Sequence, residues 1–360
     1  MQNKITYKKS KSKIIIRAAN WIGDAIMTPP VIRAIRKNYP DAHITLLAKP
    51  WVIPVFDNNP YIDEIMVYQS EGRHAKGFGT IRLSKDIRKK RFDIAILMQN
   101  AFEAALITFL GSVPVRIGYN TDGRSLLLNP SIKLNKKLKK GHLIDYYIGI
   151  LKGAGLYDAG RELDLFISDI EKIEAIKIIE SYEINIKKDH VIGINPGATG
   201  GTAKRWFPER YAELAKRLSE KFNTKILIFG SSSDYELGET IKQDVCINLA
   251  GKTTLRQAFA LMEKCDLFIT NDSGLMHAAA ALHTKQIAIV GSTDHIATSP
   301  SSPNSTIIRV PVECSPCLKE HCPKKDDSDY HICMGKISVD MVMEKCEYAL
   351  KNCIKRDSQR

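Results

Sequence analysis

A chain of 360 residues is long enough to bury two cores of ordinary domain size. With 44% hydrophobic and 26% charged residues it falls in the globular range and outside the disordered class. No window approaches the roughly 18 uninterrupted apolar residues of a spanning helix, and no signal-peptide core opens the sequence, so a cytoplasmic protein is expected. The net charge of +13 is unevenly placed: residues 1–170 hold 27 Lys and Arg against 15 Asp and Glu, and residues 171–360 hold 26 against 25. The clusters from Lys8 to Lys13, Arg88 to Arg91 and Lys136 to Lys140 supply most of the excess. Such asymmetry is either a solvated face or the footprint of a polyanionic partner, nucleic acid or an anionic membrane surface.

In chain order, Lys13 to Ala19 reads as a short buried strand and Asp24 to Asn38 as a helix ending before Tyr39-Pro40. His43 to Ala48, Glu64 to Tyr68 and Phe92 to Met98 are further strands, with helical stretches between several of them. A helix near 101–110, the strand Arg116 to Tyr119 and a helix near 142–154 complete this half. A helix at 170–182 and the polar turn Asn185 to Asp189 read as an inter-domain connection. The alternation then restarts: strands at 190–194, 225–230, 267–270 and 286–290, with helices at 208–222, 234–243, 255–264 and 275–282. Strands alternating with helices predict α/β architecture with parallel sheets covered on both faces. The boundaries are 1–168 for the first domain, 169–189 for the connection, 190–340 for the second domain and 341–360 for a C-terminal helix and tail. Ligands of such sheets bind beyond the carboxyl ends of the strands, so the loops after Ile194, Phe229, Thr270 and Val290 are expected around one small-molecule site.

Neither half contains G-x-G-x-x-G or G-x-x-x-x-G-K-[ST], which argues against a nicotinamide oxidoreductase and a P-loop nucleotidase. Asn271-Asp272-Ser273-Gly274 instead follows a buried strand and opens a helix, where first-turn N–H groups can hold a phosphate; an ordinary capped helix start is the plainer alternative. The Gly- and Thr-rich loop Asn195 to Pro208 delivers Thr199 and Lys204 at a strand's carboxyl end, where a cation and a hydroxyl can neutralise a pyrophosphate leaving group. Asp234 and Glu236 follow Phe229 and offer carboxylates to ribose hydroxyls, although Asp234 also suits a helix N-cap. In the first half, Asn20-Trp21-Ile22-Gly23-Asp24 places a carboxylate outside the sheet, either as an N-cap or as a base that takes the proton of an acceptor hydroxyl.

Together, Asn20 to Met27, Asn195 to Trp206, Phe229-Gly230-Ser231 with Asp234, Asn248 to Gly251 and Asn271 to His277 resemble the ADP-heptose:lipopolysaccharide heptosyltransferases of glycosyltransferase family 9, type II most closely. The resemblance runs from about residue 13 to about residue 350. It implies a GT-B fold, two Rossmann-like doubly wound domains facing a central cleft, with acceptor on the first and donor on the second. It implies inverting transfer of heptose from ADP-heptose to the lipopolysaccharide inner core, the second heptose onto the first, with no cofactor required. By position the catalytic base falls on Asp24, and donor contacts fall on Thr199, Lys204, Asp272, Ser273, Gly274 and His277, with Asp234 or Glu236 at the ribose. Asn20, Arg116, Arg124 and His142 match acceptor-side positions. A Kdo- and heptose-bearing lipid A acceptor also suits a basic domain working peripherally at the anionic inner membrane, and nucleic acid is not an expected partner. The alternatives are a related transferase using another nucleotide-sugar or a Kdo acceptor and, more distantly, a protein binding anionic surfaces or nucleic acid.

Two segments stand apart. Asp327-Ser328-Asp329 spells D-x-D but lies in a polar loop with no strand before it, and is not expected to bind metal. Cys314, Cys317, Cys322 and Cys333 have a spacing that suits zinc or an iron–sulfur cluster, with a disulfide-linked or reduced structural loop as the alternative.

Overall fold

The computed structural model describes residues 11–324 and 328–357. Lys8, Lys9 and Ser10 of the first basic cluster and Asp327 of the D-x-D triplet lie outside them. The chain divides between Phe166 and Ile167 into two compact units.

The first unit contains β1 (Lys13–Arg17), β2 (His43–Ala48), β3 (Glu64–Val67), β4 (Ile94–Leu97), β5 (Val115–Tyr119) and β6 (Ser131–Ile132). They form one sheet in the order β3-β2-β1-β4-β5-β6, parallel throughout. Ile15 of β1 lies between Thr45 of β2 and Ala95 of β4. Ile14, Ile15 and Ile16 are fully buried, because a parallel sheet with helices on both faces hides successive side chains and favours unbroken apolar runs. Each such burial stabilises the unit by about 1.5–3 kcal/mol.

The second unit repeats the plan with β7 (His190–Asn195), β8 (Thr224–Ile228), β9 (Cys246–Asn248), β10 (Leu267–Asn271), β11 (Gln286–Ile289) and β12 (Ser305–Ile308). The order is β12-β11-β10-β7-β8-β9. In each unit the winding reverses beside its first strand, between β1 and β4 and between β7 and β10, which opens a crevice at the carboxyl ends there. The second core is built around Trp206, which is buried, packs edge-on against Tyr211 at 5.0 Å and donates through Nε1 to the Ile337 carbonyl at 2.9 Å.

One long helix of the sequence reading is two. A short helix, Ile22–Ile26, stops at Met27, and a second, Pro29–Asn38, starts with prolines in its first turn. Pro29 and Pro30 lack the N–H groups that would continue the first helix, and their fixed φ suits a new start. The helix Asp169–Glu180 begins with a capping box between Ser168 and Glu171. It is joined to the helix Leu255–Glu263 by Glu171–Arg256 at 2.6 Å and Lys172–Glu263 at 3.2 Å. Among the described residues no helix is long and apolar enough to cross a membrane.

Candidate active site

In the first unit the β1 carboxyl end leads directly into the helix carrying Asp24. Trp21, not Asp24, is the N-cap residue, and Asp24 lies in the first turn, partly exposed. Its carboxylate accepts a hydrogen bond from the buried Tyr147 hydroxyl of the helix Leu143–Gly153; burial and the Asp24 charge hold the Tyr147 phenol well above its usual range. A neutral donor fixed in this way orients the carboxylate without competing as a counter-ion.

Beside it, Arg17 at the end of β1 is buried and donates to the Ala18 carbonyl at 2.6 Å and Asn20 Oδ1 at 2.7 Å. Burial lowers its pKa to about 10, and the guanidinium stacks 5.1 Å from the Tyr68 ring centroid. Tyr68 donates to Glu103 at 2.6 Å, while Lys49 sits over the rings of Trp51 and Tyr68 at 4.8 and 5.8 Å. Trp51 Nε1 donates to the Asn20 carbonyl at 2.8 Å. Asn20 thus sits in a basic and aromatic cluster that sequence reasoning did not single out, because its members come from four separate β–α connections.

The other acceptor-side positions make structural bonds. Arg116 stands near the amino end of β5 and donates to the carbonyls of Leu127 at 2.6 Å and Pro114 at 3.3 Å, with a further bond to Val113. This is the end of the strand away from the ligand loops. Arg124 is fully buried and ties three points together: the Tyr119 carbonyl at 2.9 Å, Asn100 Oδ1 at 2.8 Å and the Gln99 carbonyl. His142 caps the helix Leu143–Gly153, its Nδ1 accepting from Ile144 N–H at 3.1 Å.

In the second unit, the loops at the reversal of winding are laced together. Asn195 donates to Ser273 Oγ at 2.8 Å and Thr270 Oγ1 at 3.2 Å. Asn271 donates to the Pro196 carbonyl at 2.6 Å and accepts from Trp206 N–H and the Tyr211 hydroxyl, both at 3.0 Å. Ser273 is the N-cap of the helix Gly274–Ala281 and accepts from Met276 N–H at 3.4 Å. The N–H groups of Gly274 and Leu275 precede the first intrahelical bonds, and N–H groups in that position can hold an anion. Asp272 is buried and accepts from Thr298 at 3.1 Å, and His277 is buried in the same helix.

Thr199 is exposed and Lys204 half-buried at the ends of a turn through Gly200 and Gly201, both at positive φ. Among the described residues Lys204 makes no ion pair, so its ammonium is available to an anionic ligand. A Cβ on Gly201 would sit 2.0 Å from the Glu320 carbonyl oxygen, so only glycine fits this turn. Asp234 is engaged: Oδ2 accepts from Ser231 N–H at 3.0 Å and Ser231 Oγ at 2.6 Å, and Oδ1 from Arg205 at 3.3 Å. Glu236 is exposed, and its side chain makes no bond among the described residues. The loop after β11 adds Ser292 and Thr293, buried hydroxyls without a partner among the described residues. Their sequence signal was only that Gly-Ser-Thr follows a buried strand.

Among the described residues no three His, Cys, Asp or Glu side chains stand arranged around a metal position. Asp329 of the D-x-D triplet pairs with Lys324 at 3.0 Å.

Two six-stranded doubly wound units, the second with a capped helix start at its reversal of winding, define the GT-B class of glycosyltransferases. The family model for glycosyltransferase family 9 (heptosyltransferase) matches residues 80–327. Lipopolysaccharide heptosyltransferase 2 of Salmonella typhimurium is 32% identical, covering 92% of this chain and 97% of that protein. The Escherichia coli protein of the same name gives the same identity and coverage. The solved structure of E. coli ADP-heptose lps heptosyltransferase II matches with a TM-score of 0.78 at 29% identity, over 94% of this chain and 99% of that one. A family 9 glycosyl transferase from Veillonella parvula matches with a TM-score of 0.82 at 24% identity, over 95% and 98%. The chain belongs to glycosyltransferase family 9, the heptosyltransferases.

Proposed function

We propose that this enzyme transfers heptose from ADP-heptose to the inner core of lipopolysaccharide, adding the second heptose to the first, with inversion at the anomeric carbon. The observation that carries the reading is near full-length identity of 32% to proteins named lipopolysaccharide heptosyltransferase 2. Asp24, oriented by Tyr147, takes the proton of the acceptor hydroxyl as that oxygen attacks the anomeric carbon from the face opposite the diphosphate. Lys204, Thr199 and the helix start at Asp272, Ser273 and Gly274 stabilise the negative charge that builds on the departing ADP. Glu236 takes the ribose hydroxyls, because both Asp234 oxygens already accept bonds within the protein. Asn20 and Lys49 address the anionic acceptor, and the buried Arg17 holds Asn20 in place. Arg116 and Arg124 hold the loops in place, and His142 caps the helix that carries Tyr147. The basic first unit works at an anionic membrane surface on the cytoplasmic side, and the mechanism asks no metal or cofactor of the protein.

The test is transfer to defined acceptors bearing Kdo alone or Kdo with one heptose, using ADP-, UDP- and GDP-sugars. Activity with ADP-heptose on the heptose-bearing acceptor is expected, and a preference for uridine donors or for the Kdo acceptor overturns the reading. Asp24→Ala is expected to lower turnover by about 10²–10⁴ while donor affinity stays within about twofold. Wild-type turnover in that variant removes Asp24 as the base.

A further inference from the structure

The four cysteines that the transfer chemistry does not use meet at one place. Cys314, Cys317, Cys322 and Cys333 line a single small cavity of about 20 Å³ in the second unit, and all four are free thiols. A void of this size admits about one water-sized body, enough for one ion and too little for a multi-iron cluster. Apart from the short helix Ile332–Gly335, the chain from residue 309 to 337 has no helix or strand among its described residues. Compact domains seldom keep so long an irregular segment without something to fix it.

From this convergence we propose that Cys314, Cys317, Cys322 and Cys333 form a tetrathiolate site for one thiophilic divalent ion, zinc or iron, that fastens the cysteine loop onto the donor-binding loops. The spacing gives a Cys-x2-Cys pair plus two further sulfurs, the ligand set of closed tetrahedral structural sites. The four cysteines line the cavity, and among the described residues their side chains do not form a coordination shell. Filling the site therefore requires side-chain rotation; each cysteine has one side-chain torsion, and a rotamer change moves its sulfur by roughly 3 Å. Binding replaces four S–H protons by one M²⁺ and releases four protons to water; no electron is transferred.

The surroundings show what the ion would hold. The Glu320 carbonyl accepts from Ala203 N–H at 2.9 Å, His321 Nδ1 and Thr202 Oγ1 are 3.1 Å apart, and His331 Nε2 donates to the Ala203 carbonyl at 3.0 Å. On the other side, Leu318 N–H donates to the Ser292 carbonyl at 2.9 Å, and Ser315 Oγ donates to the Gly291 carbonyl at 2.5 Å. The cysteine loop therefore grips the turn preceding Lys204, which is assigned to the donor, and the loop after β11.

The experiment is elemental analysis of full-length protein purified without oxygen, chelator or affinity metal, followed by titration with a mercurial thiol reagent while released metal is measured. The expected result is about one zinc or iron per chain, released in step with thiol modification, and lost in Cys314→Ser/Cys317→Ser. In that variant KM for the nucleotide-sugar should rise more than kcat falls. If the variant does not fold, the wild-type titration still decides. Metal far below one equivalent, cysteines linked pairwise as disulfides, or a folded variant that keeps its metal would each overturn the proposal. Because metal content is read without turnover, its failure is separate from failure of the heptosyl-transfer reading.

Discussion

Asp24 and Tyr147 are 123 positions apart in the chain, yet one hydrogen bond links them. Tyr147 is a positioning residue in this scheme: it fixes where the carboxylate points but touches no reacting atom. Tyr147→Phe keeps the buried ring and removes the donor, so kcat is expected to fall about tenfold with donor KM unchanged. Steady-state kinetics with both substrates varied checks this, and a change confined to donor KM would place Tyr147 elsewhere in the scheme. The carboxylates after β8 divide in a similar way. Asp234 braces Ser231 and Arg205, while Glu236 remains exposed. Glu236→Gln should therefore weaken ADP binding with the fold intact, whereas Asp234→Asn should lower thermal stability as well; calorimetry and melting of both variants separate the two roles.

Among the elements, the helix Asp169–Glu180 shows how ion pairs attach a segment. Glu171 meets Arg256 through two bonds of 2.6 and 2.7 Å, and the guanidinium, with the Ser168 bonds, lowers its pKa from 4.5 to about 2. A folded-state pKa below the unfolded value contributes stability that is complete above about pH 5 and is lost as pH falls from there through 2. Glu171→Gln is expected to cost about 2 kcal/mol at pH 7 and clearly less at pH 3, measured by urea unfolding at both values. An equal loss at the two pH values would show that shape, not charge, holds the helix. The strands most easily overlooked in the sequence are β6, β9 and β12. Each is short and near a sheet edge, and Thr306 and Ile307 of β12 are exposed, so no buried apolar run marks them.

At the scale of the molecule, the two units share one topology but not one charge. Lys136, Lys137, Lys139 and Lys140 are all exposed on the short helix Lys136–Lys140 of the first unit. Near an anionic bilayer each lysine contributes about 1 kcal/mol of attraction, screened within a Debye length. Changing all four to Gln should weaken binding to phosphatidylglycerol vesicles by at least about tenfold at low salt, with little effect on transfer to a soluble, lipid-free acceptor. Co-sedimentation at two salt concentrations tests this; binding that is insensitive to both salt and the substitutions would mean that the charge excess only solvates a face.

Local chemistry alone determined the alternation of strands and helices, the restart of the pattern near residue 190, the ligand loops at strand ends and the concentration of positive charge in the first half. These are legible because a buried parallel strand, a capped helix and a Gly-rich turn each need particular residues within a few positions. Tertiary structure alone decided that the helix carrying Asp24 stops before Pro29, and that Tyr147 orients the carboxylate. It also decided that Asp234 is engaged while Glu236 stays open, that Arg116 and Arg124 bind carbonyls, and that four cysteines share one cavity. The physical reason is that a side chain's partner, whether a near turn as for Asp234 and Arg116 or a distant element as for Asp24 and the cysteines, is fixed by three-dimensional geometry, and periodicity along the chain carries no record of that.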